Sequence, residues 1–142
     1  MIVEEVSLSV AAGEVLALLG HNRASKSTLL RALFGLLPCR DGHVEVQGTA
    51  SRAVMLDEPS IGLAPRLAKQ VFATIRAMAA QGRAILLVAQ SVKRALAVSD
   101  RAVVMEMGRI VLEDSAASLA ADDRVAKLYM GAAGKGFAQP PR

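Results

Sequence analysis

The sequence predicts an α/β fold: a mostly parallel sheet with helices on both faces and some antiparallel strands. Three observations carry this. Apolar runs at residues 15–19, 53–56 and 84–88 have no polar interruption, as strands buried on both faces require. Amphipathic stretches at 26–36, 65–79 and 92–96 alternate with them. The antiparallel character comes from an alternating segment at 6–10, a short strand at 44–47 and two runs joined by Met107-Gly108.

Each element has a local cause. Val6, Leu8 and Val10 alternate with serines, as in a half-buried strand, and Gly13-Glu14 turns the chain into the first apolar run. Gly20 ends that run. Leu29, Leu30, Leu33 and Leu37 then share one helical face, and the stretch from Pro38 to Gly42 reads as loop. The strand at 44–47 closes at Gly48. Pro65 suits a first helical position, and Leu67, Val71, Phe72, Ile75, Met78 and Ala79 follow the helical repeat until Gly82 stops it. A short helix through Val92, Ala95 and Leu96 follows the third apolar run. Residues 101–106 and 109–113 form a hairpin, and two short helices are expected at 118–121 and 124–129. Residues 132–142, rich in Gly, Ala and Pro, read as a flexible tail after a single domain at 1–131.

Composition bounds the function. With 142 residues, 53% of them hydrophobic and 21% charged, the chain can bury a core, which must be aliphatic because aromatics are only 3%. The formal charge of +4 invites a nucleic-acid reading, but Arg31, Arg52, Arg76, Arg94 and Arg109 fall in five different segments. No basic block interleaves with aromatics, so a solvated basic surface is favoured over nucleic acid. The single cysteine, Cys39, precludes an internal disulfide and fits a reducing compartment. Glu4 and Glu5 stand where a signal peptide favours Lys or Arg, and no apolar run approaches the roughly 18 residues that span a bilayer.

Two motifs carry chemistry. Gly20-His21-Asn22-Arg23-Ala24-Ser25-Lys26-Ser27-Thr28 joins a strand to a helix, so it directs backbone N–H groups and the helix dipole at a polyphosphate. Lys26 supplies a charge for terminal phosphates and Ser27 a hydroxyl for magnesium. The expected pattern has glycine where Ser25 stands. A non-glycine residue forced left-handed costs roughly 1–2 kcal/mol, and a side chain at Ser25 crowds the phosphate. Taken alone, the run is equally open to a plainer reading, in which Ser25 and Ser27 merely cap a helix. Second, Asp57 and Glu58 close an apolar strand before Pro59, at the carboxyl edge of the sheet where α/β folds bind ligands. Asp57 suits a magnesium shell and Glu58 can polarise a water. Two acids capping a strand before a turn is the alternative, weakened by the phosphate-type loop upstream.

At these residues the chain resembles the ATP-binding-cassette ATPases that power membrane transporters, and most of all the small ATPase subunit of branched-chain amino-acid importers. The lead-in at 6–15 resembles the approach to that family's phosphate loop, whose own pattern also has glycine where Arg23 stands. Leu56-Asp57-Glu58-Pro59-Ser60-Ile61-Gly62-Leu63-Ala64-Pro65 resembles its acidic motif and D-loop, Gly-Leu-Ala-Pro being that importer branch's wording. Residues 85–91, Ser99-Asp100-Arg101, Met107-Gly108-Arg109-Ile110-Val111 and Leu128-Tyr129-Met130-Gly131 are similar to the same branch. The resemblance implies a P-loop NTPase (RecA-like) core that takes ATP and Mg2+. It implies phosphate binding across Gly20 to Thr28, magnesium at Ser27 and Asp57, catalysis by Glu58, and Gln90 at the switch position. Its implied partners are a second ATPase subunit, either self or a complete paralogue, and transmembrane permease subunits. The implied location is cytoplasmic, or peripheral on the inner face of the membrane.

The departures from the pattern are as informative. Only 28 residues separate Thr28 from Asp57. The family's glutamine loop, helical subdomain and Leu-Ser-Gly-Gly-Gln signature normally lie in this interval. Gln47, in the strand before the gap, is no substitute, and Tyr129 is at the wrong end to stack on adenine. The family sandwiches ATP between two subunits, the signature of one closing on the γ-phosphate of the other. Loss of one transition-state donor typically costs about 10²–10³ in rate, so weak or absent hydrolysis is expected of the isolated chain. Three alternatives stay open: hydrolysis after pairing with a complete ATPase, a non-catalytic interaction module, and an unfolded product of internal deletion.

Overall fold

Among the described residues the first strand lies at the centre of a five-stranded sheet. A computed structural model describes residues 6–20, 26–33, 53–89, 92–123 and 125. The elements are β1 (Val15–Leu19), α1 (Lys26–Leu33), β2 (Ala53–Asp57), α2 (Pro65–Ala80), β3 (Ala84–Val88), α3 (Val92–Val98), β4 (Arg101–Glu106), β5 (Arg109–Ser115) and α4 (Ala116–Ala120). β1 pairs in parallel with β3 and with β4, and β2 in parallel with β3, while β4 and β5 form the antiparallel hairpin. The predicted α/β class holds, with its mostly parallel sheet and late hairpin.

Alternate residues of the strands feed opposite faces, as the two-residue period dictates. Val15, Ala17, Leu19, Ile85, Leu87, Ala102 and Val104 meet Phe72 and Ile75 of α2, Ala95 and Leu96 of α3, and Leu119 of α4. Leu16, Leu18, Leu86, Val88, Val103 and Met105 meet Leu29 and Leu30 of α1. Every residue of β1 is fully buried. That is why its run is apolar without alternation: both of its faces are covered.

Helix boundaries follow local chemistry. Pro65 opens α2 because the first turn needs no N–H from it, and Gly82, left-handed at φ 93°, carries the chain out after Gln81. The hairpin turn holds Met107 at φ 52° and Gly108 at φ 80°, the left-handed pair that matches the twist of its strands. Ser115 caps α4, accepting from the Ser118 N–H at 3.1 Å, which starts that helix two residues earlier than the sequence suggests.

Two expectations fail. The apolar run at 53–56 is expected to be buried on both faces, but β2 ends the strand order of the described sheet, with Ala53 exposed and Val54, Met55 and Leu56 half-buried. An apolar run alone does not tell a covered strand from a terminal one. The second concerns the start of the chain. Residues 6–10 join no strand of the described sheet. Their alternation is real as burial, since Val6, Leu8 and Val10 pack on the α1 side of the sheet while Ser7 and Ser9 are exposed. A two-residue period reports which side chains are covered, not whether the backbone has a ladder partner, and the Ser9 carbonyl accepts from the Arg101 guanidinium. The expected strand at 44–47, the end of the first helix, the helix at 126–129 and the tail at 132–142 lie outside the described residues.

Candidate nucleotide-binding site

The parallel register sets the site. Asp57 is level with Val88 at the carboxyl ends of β2 and β3, and β1 ends beside them at Leu19. Lys26, the first residue of α1, comes back over that edge. It is the buried charged residue of the described chain, 5% exposed, and its Nζ donates to the Gly20 carbonyl at 2.6 Å. Burial pushes the Lys26 ammonium below the ordinary lysine range, while the charges of Glu58 and then Asp57 act to raise it. The cation and both carboxylates therefore share one electrostatic neighbourhood, although 28 residues are all that separate Thr28 from Asp57.

Glu58 has an unusual backbone. It is left-handed at φ 53°, its N–H donates to the Val88 carbonyl at 2.7 Å, and its carbonyl accepts from the Ile61 N–H at 3.2 Å. A hydrogen bond from the end of β3 thus holds it in a conformation that glutamate does not favour. Residues 59–67 then run from this acid into α2 with Ile61, Leu63 and Leu67 exposed by 64%, 38% and 49%.

Of the residues singled out in the sequence, the structure brings Gly20, Lys26, Asp57 and Glu58 together. Thr28 lies in α1, half-buried, and Ser27 belongs to the same first turn. His21, Asn22, Arg23, Ala24, Ser25 and Gln90 lie outside the described residues. A buried ammonium beside two carboxylates at the carboxyl edge of the central strands fits a magnesium-bound polyphosphate, whose charges both signs can meet.

At the opposite end of the strands lies a second cluster, built from charges far apart in the sequence. Arg101 opens β4 and donates through Nε to Glu14 at 3.0 Å and through Nη1 to Glu113 at 2.6 Å. Asp100 accepts from the Val15 N–H at 2.9 Å and from Arg76 of α2 at 3.0 Å. Arg101 holds the Glu14 carboxyl below the usual carboxylate range. For Asp100 burial acts in the opposite direction, but the Val15 N–H and Arg76 outweigh it and its pKa is also lowered. The signal in the sequence is positional: Glu14 and Asp100 each immediately precede an apolar strand, and Arg101 opens the second of them.

The ABC transporter family profile matches residues 3–128. The chain belongs to the ABC transporter ATPase family. It is 41% identical over 80 residues to the high-affinity branched-chain amino acid transport ATP-binding protein BraG of Pseudomonas aeruginosa, covering 56% of this chain and 34% of BraG. It is 39% identical over 69 residues to the L-cystine transport system ATP-binding protein TcyN of Escherichia coli, covering 49% of this chain and 28% of TcyN. The chain thus spans about a third or less of the length of these curated relatives. Among solved structures, the ATP-binding cassette MJ1267 in its ADP conformation superposes with a TM-score of 0.75 at 17% identity, over 91% of this chain and 92% of that one. An ATP-binding subunit of an ABC transporter superposes with a TM-score of 0.76 at 16% identity, over 96% and 92%. These structures establish the fold. ABC-family ATPases bind ATP, typically with Mg2+, and among the described residues no helix is long and apolar enough to cross a membrane.

Proposed function

We propose that this chain is a nucleotide-binding subunit of an ABC importer for branched-chain amino acids or a similar small solute, with a retained but weakened ATP·Mg site. The observation that carries the reading is Lys26: buried, at the carboxyl edge of β1, and under the influence of both Glu58 and Asp57. Similarity to BraG supports the solute class. In this reading residues 1–131 are a nucleotide-binding domain lacking the helical subdomain, and residues 132–142 are a tail.

Gly20 to Thr28 would bind the phosphates, with Lys26 meeting the terminal ones. Ser27 and Asp57 would hold magnesium, and Gln90 would stand at the switch position. Glu58 would accept a proton from the attacking water. Bound Mg·ATP supplies the phosphoanhydride and the metal charge that polarises it. Replacement of two loop glycines by Arg23 and Ser25, and the short interval before β2, support slow or absent turnover by the isolated chain. Pairing with a complete ATPase would restore the missing signature, and a permease would place the protein at the inner face of the membrane.

Titrating Mg·ATP into wild type and Lys26→Ala tests the reading, with saturable binding expected only for wild type. Equal binding by both, or by neither, refutes the site. A second reading, a nucleotide-independent docking module, is favoured by the exposed Ile61, Leu63 and Leu67. Capture of a complete ATPase partner by the Lys26→Ala variant, lost on Ile61→Ser, distinguishes it. Turnover comparable with intact relatives would falsify the expectation of weak hydrolysis.

A further inference from the structure

Charge is unevenly placed along the chain. Six of its 17 cations and none of its 13 acids lie between Glu58 and Asp100, so the remainder of the chain is net negative. Two of the six are engaged: Arg76 donates to the Val98 carbonyl and to Asp100, and Arg83 to the Met78 sulfur. The other four are Arg66 and Lys69 of α2 and Lys93 and Arg94 of α3. All four are exposed, with no hydrogen bond or ion pair among the described residues. Exposed helices ordinarily relieve such charges with an acid three or four positions away, and neither helix contains one.

The fold gathers the four. α2 and α3 each follow the carboxyl end of a strand and return along the sheet face opposite α1, so they run in the same direction. Arg76 of α2 meets the Val98 carbonyl of α3 at 3.1 Å, which sets the two helices side by side. At about 1.5 Å per residue, Lys93 and Arg94 lie about 6–8 Å back from Val98, and Lys69 about 10 Å back from Arg76. These three therefore stand at similar heights, with Arg66 a turn further on. Inward positions are taken by Ala68, Phe72 and Ile75 and by Val92, Ala95 and Leu96, so the cations share the outer side.

We propose that this outer face of α2 and α3 docks an acidic segment of a partner protein, whose carboxylates meet Arg66, Lys69, Lys93 and Arg94. The occupant follows from what the face offers. Both helices have their apolar sides committed to the core, so neither can lay one in a membrane. The face presents no aromatic for a nucleic-acid base to stack on, since Phe72 points inward. What remains is a compact set of guanidinium and ammonium donors, which clustered carboxylates match. The inference is independent of the nucleotide-site reading, because the face is turned away from α1.

The test titrates poly-L-glutamate into the full chain and its single variants by calorimetry at low salt. Lys69→Glu, Lys93→Glu and Arg31→Glu change the net charge equally, and Arg31 is exposed on α1, on the other side of the sheet. Each of the first two should weaken binding by about ten-fold, and Arg31→Glu by less than about two-fold. Equal loss in all three means that binding follows net charge alone, and it overturns the face. The unaltered chain, labelled with ¹⁵N, gives a reading that no misfolded variant can spoil. Poly-glutamate should shift the amide signals of residues 66–70 and 93–95. Shifts confined to other elements overturn the proposal, as does absence of binding. A single-stranded oligonucleotide and phosphatidylserine vesicles serve as competitors at the same ionic strength. Neither should displace poly-glutamate at matched charge concentration, and displacement by either overturns the acidic-protein occupant.

Discussion

The two ends of the central strands handle charge in opposite ways. At the amino edge, Glu14, Arg101, Glu113, Asp100 and Arg76 pair with one another and with backbone groups, and the geometry is that of a fastening. At the carboxyl edge, one buried ammonium leans on a carbonyl while two carboxylates stand near it without a recorded ion pair among the described residues. Pairing at the first end is satisfied without any ligand. At the second, a buried cation and a left-handed glutamate persist in arrangements that the chain could relieve by substitution. That contrast sets a paired, structural cluster apart from the candidate site more clearly than charge content does.

The comparison is open to breakage by mutation. Lys26→Ala should lower Mg·ATP affinity by about a hundred-fold or more, through loss of a charge-assisted contact, as read by calorimetry. Arg101→Ala, at the far end of the strands, should leave that affinity unchanged. If both variants lose nucleotide equally, the edges are one unit and the contrast fails.

Stability should show the reverse order. Arg101→Ala strands a mostly buried Glu14 and frees the Ser9 carbonyl, so it should destabilise the chain by about 2 kcal/mol. Asp100→Ala removes the acceptor for Val15 N–H and Arg76 at a more exposed position, and about 1 kcal/mol is expected. Urea unfolding midpoints measure both, and an unchanged midpoint for Arg101→Ala would dismiss the fastening.

Acid should loosen the amino edge. Glu14 and Asp100 have folded pKa values below their unfolded ones, so their contribution is complete above the unfolded values, at about pH 4. It is lost as pH falls through the folded values, because the unfolded chain binds more protons there. Glu14→Gln should therefore flatten the acid limb of a stability–pH curve while lowering stability at neutral pH. A limb as steep as that of wild type would remove Glu14 from the account.

The smallest effect sharpens the comparison between two strained residues. Met107 and Glu58 are both left-handed. Met107 is an exposed turn residue, and Met107→Asn should raise stability by about 0.5–1 kcal/mol at no functional loss. Glu58→Asn should gain similarly in stability but abolish any hydrolysis. Thermal unfolding beside an ATPase assay reads both; strain relief at 58 without functional loss would leave Glu58 as an ordinary turn residue.

Much of the fold was legible because burial dictates composition locally. β1 and β3 appear as uninterrupted apolar runs because they are covered on both faces, Pro65 and Gly82 bracket α2, and Met107-Gly108 marks the hairpin. β2 has the same kind of run but is only half-buried at the end of the described sheet. The segment at 6–10 alternates without being a strand, because half-burial has the same period with or without a ladder partner. At the candidate site, spacing and residue type pointed to Lys26, Asp57 and Glu58. The docking of Lys26 on Gly20 and the turn at Glu58 depend on groups from other elements.

The sequence by itself determined most of the strands and helices found among the described residues, which residues could serve a nucleotide, and the family to which the chain belongs. Those properties are written in neighbouring side chains: apolar period, proline and glycine placement, and the order of a loop lysine before a pair of acids. Only the tertiary structure decided that β1 lies between β3 and β4, that Arg101 meets Glu14 across 87 positions, and that Lys26 comes under the charge of Glu58. Such relations arise when distant strands come into register, and electrostatic energy depends on distance in space, not along the chain.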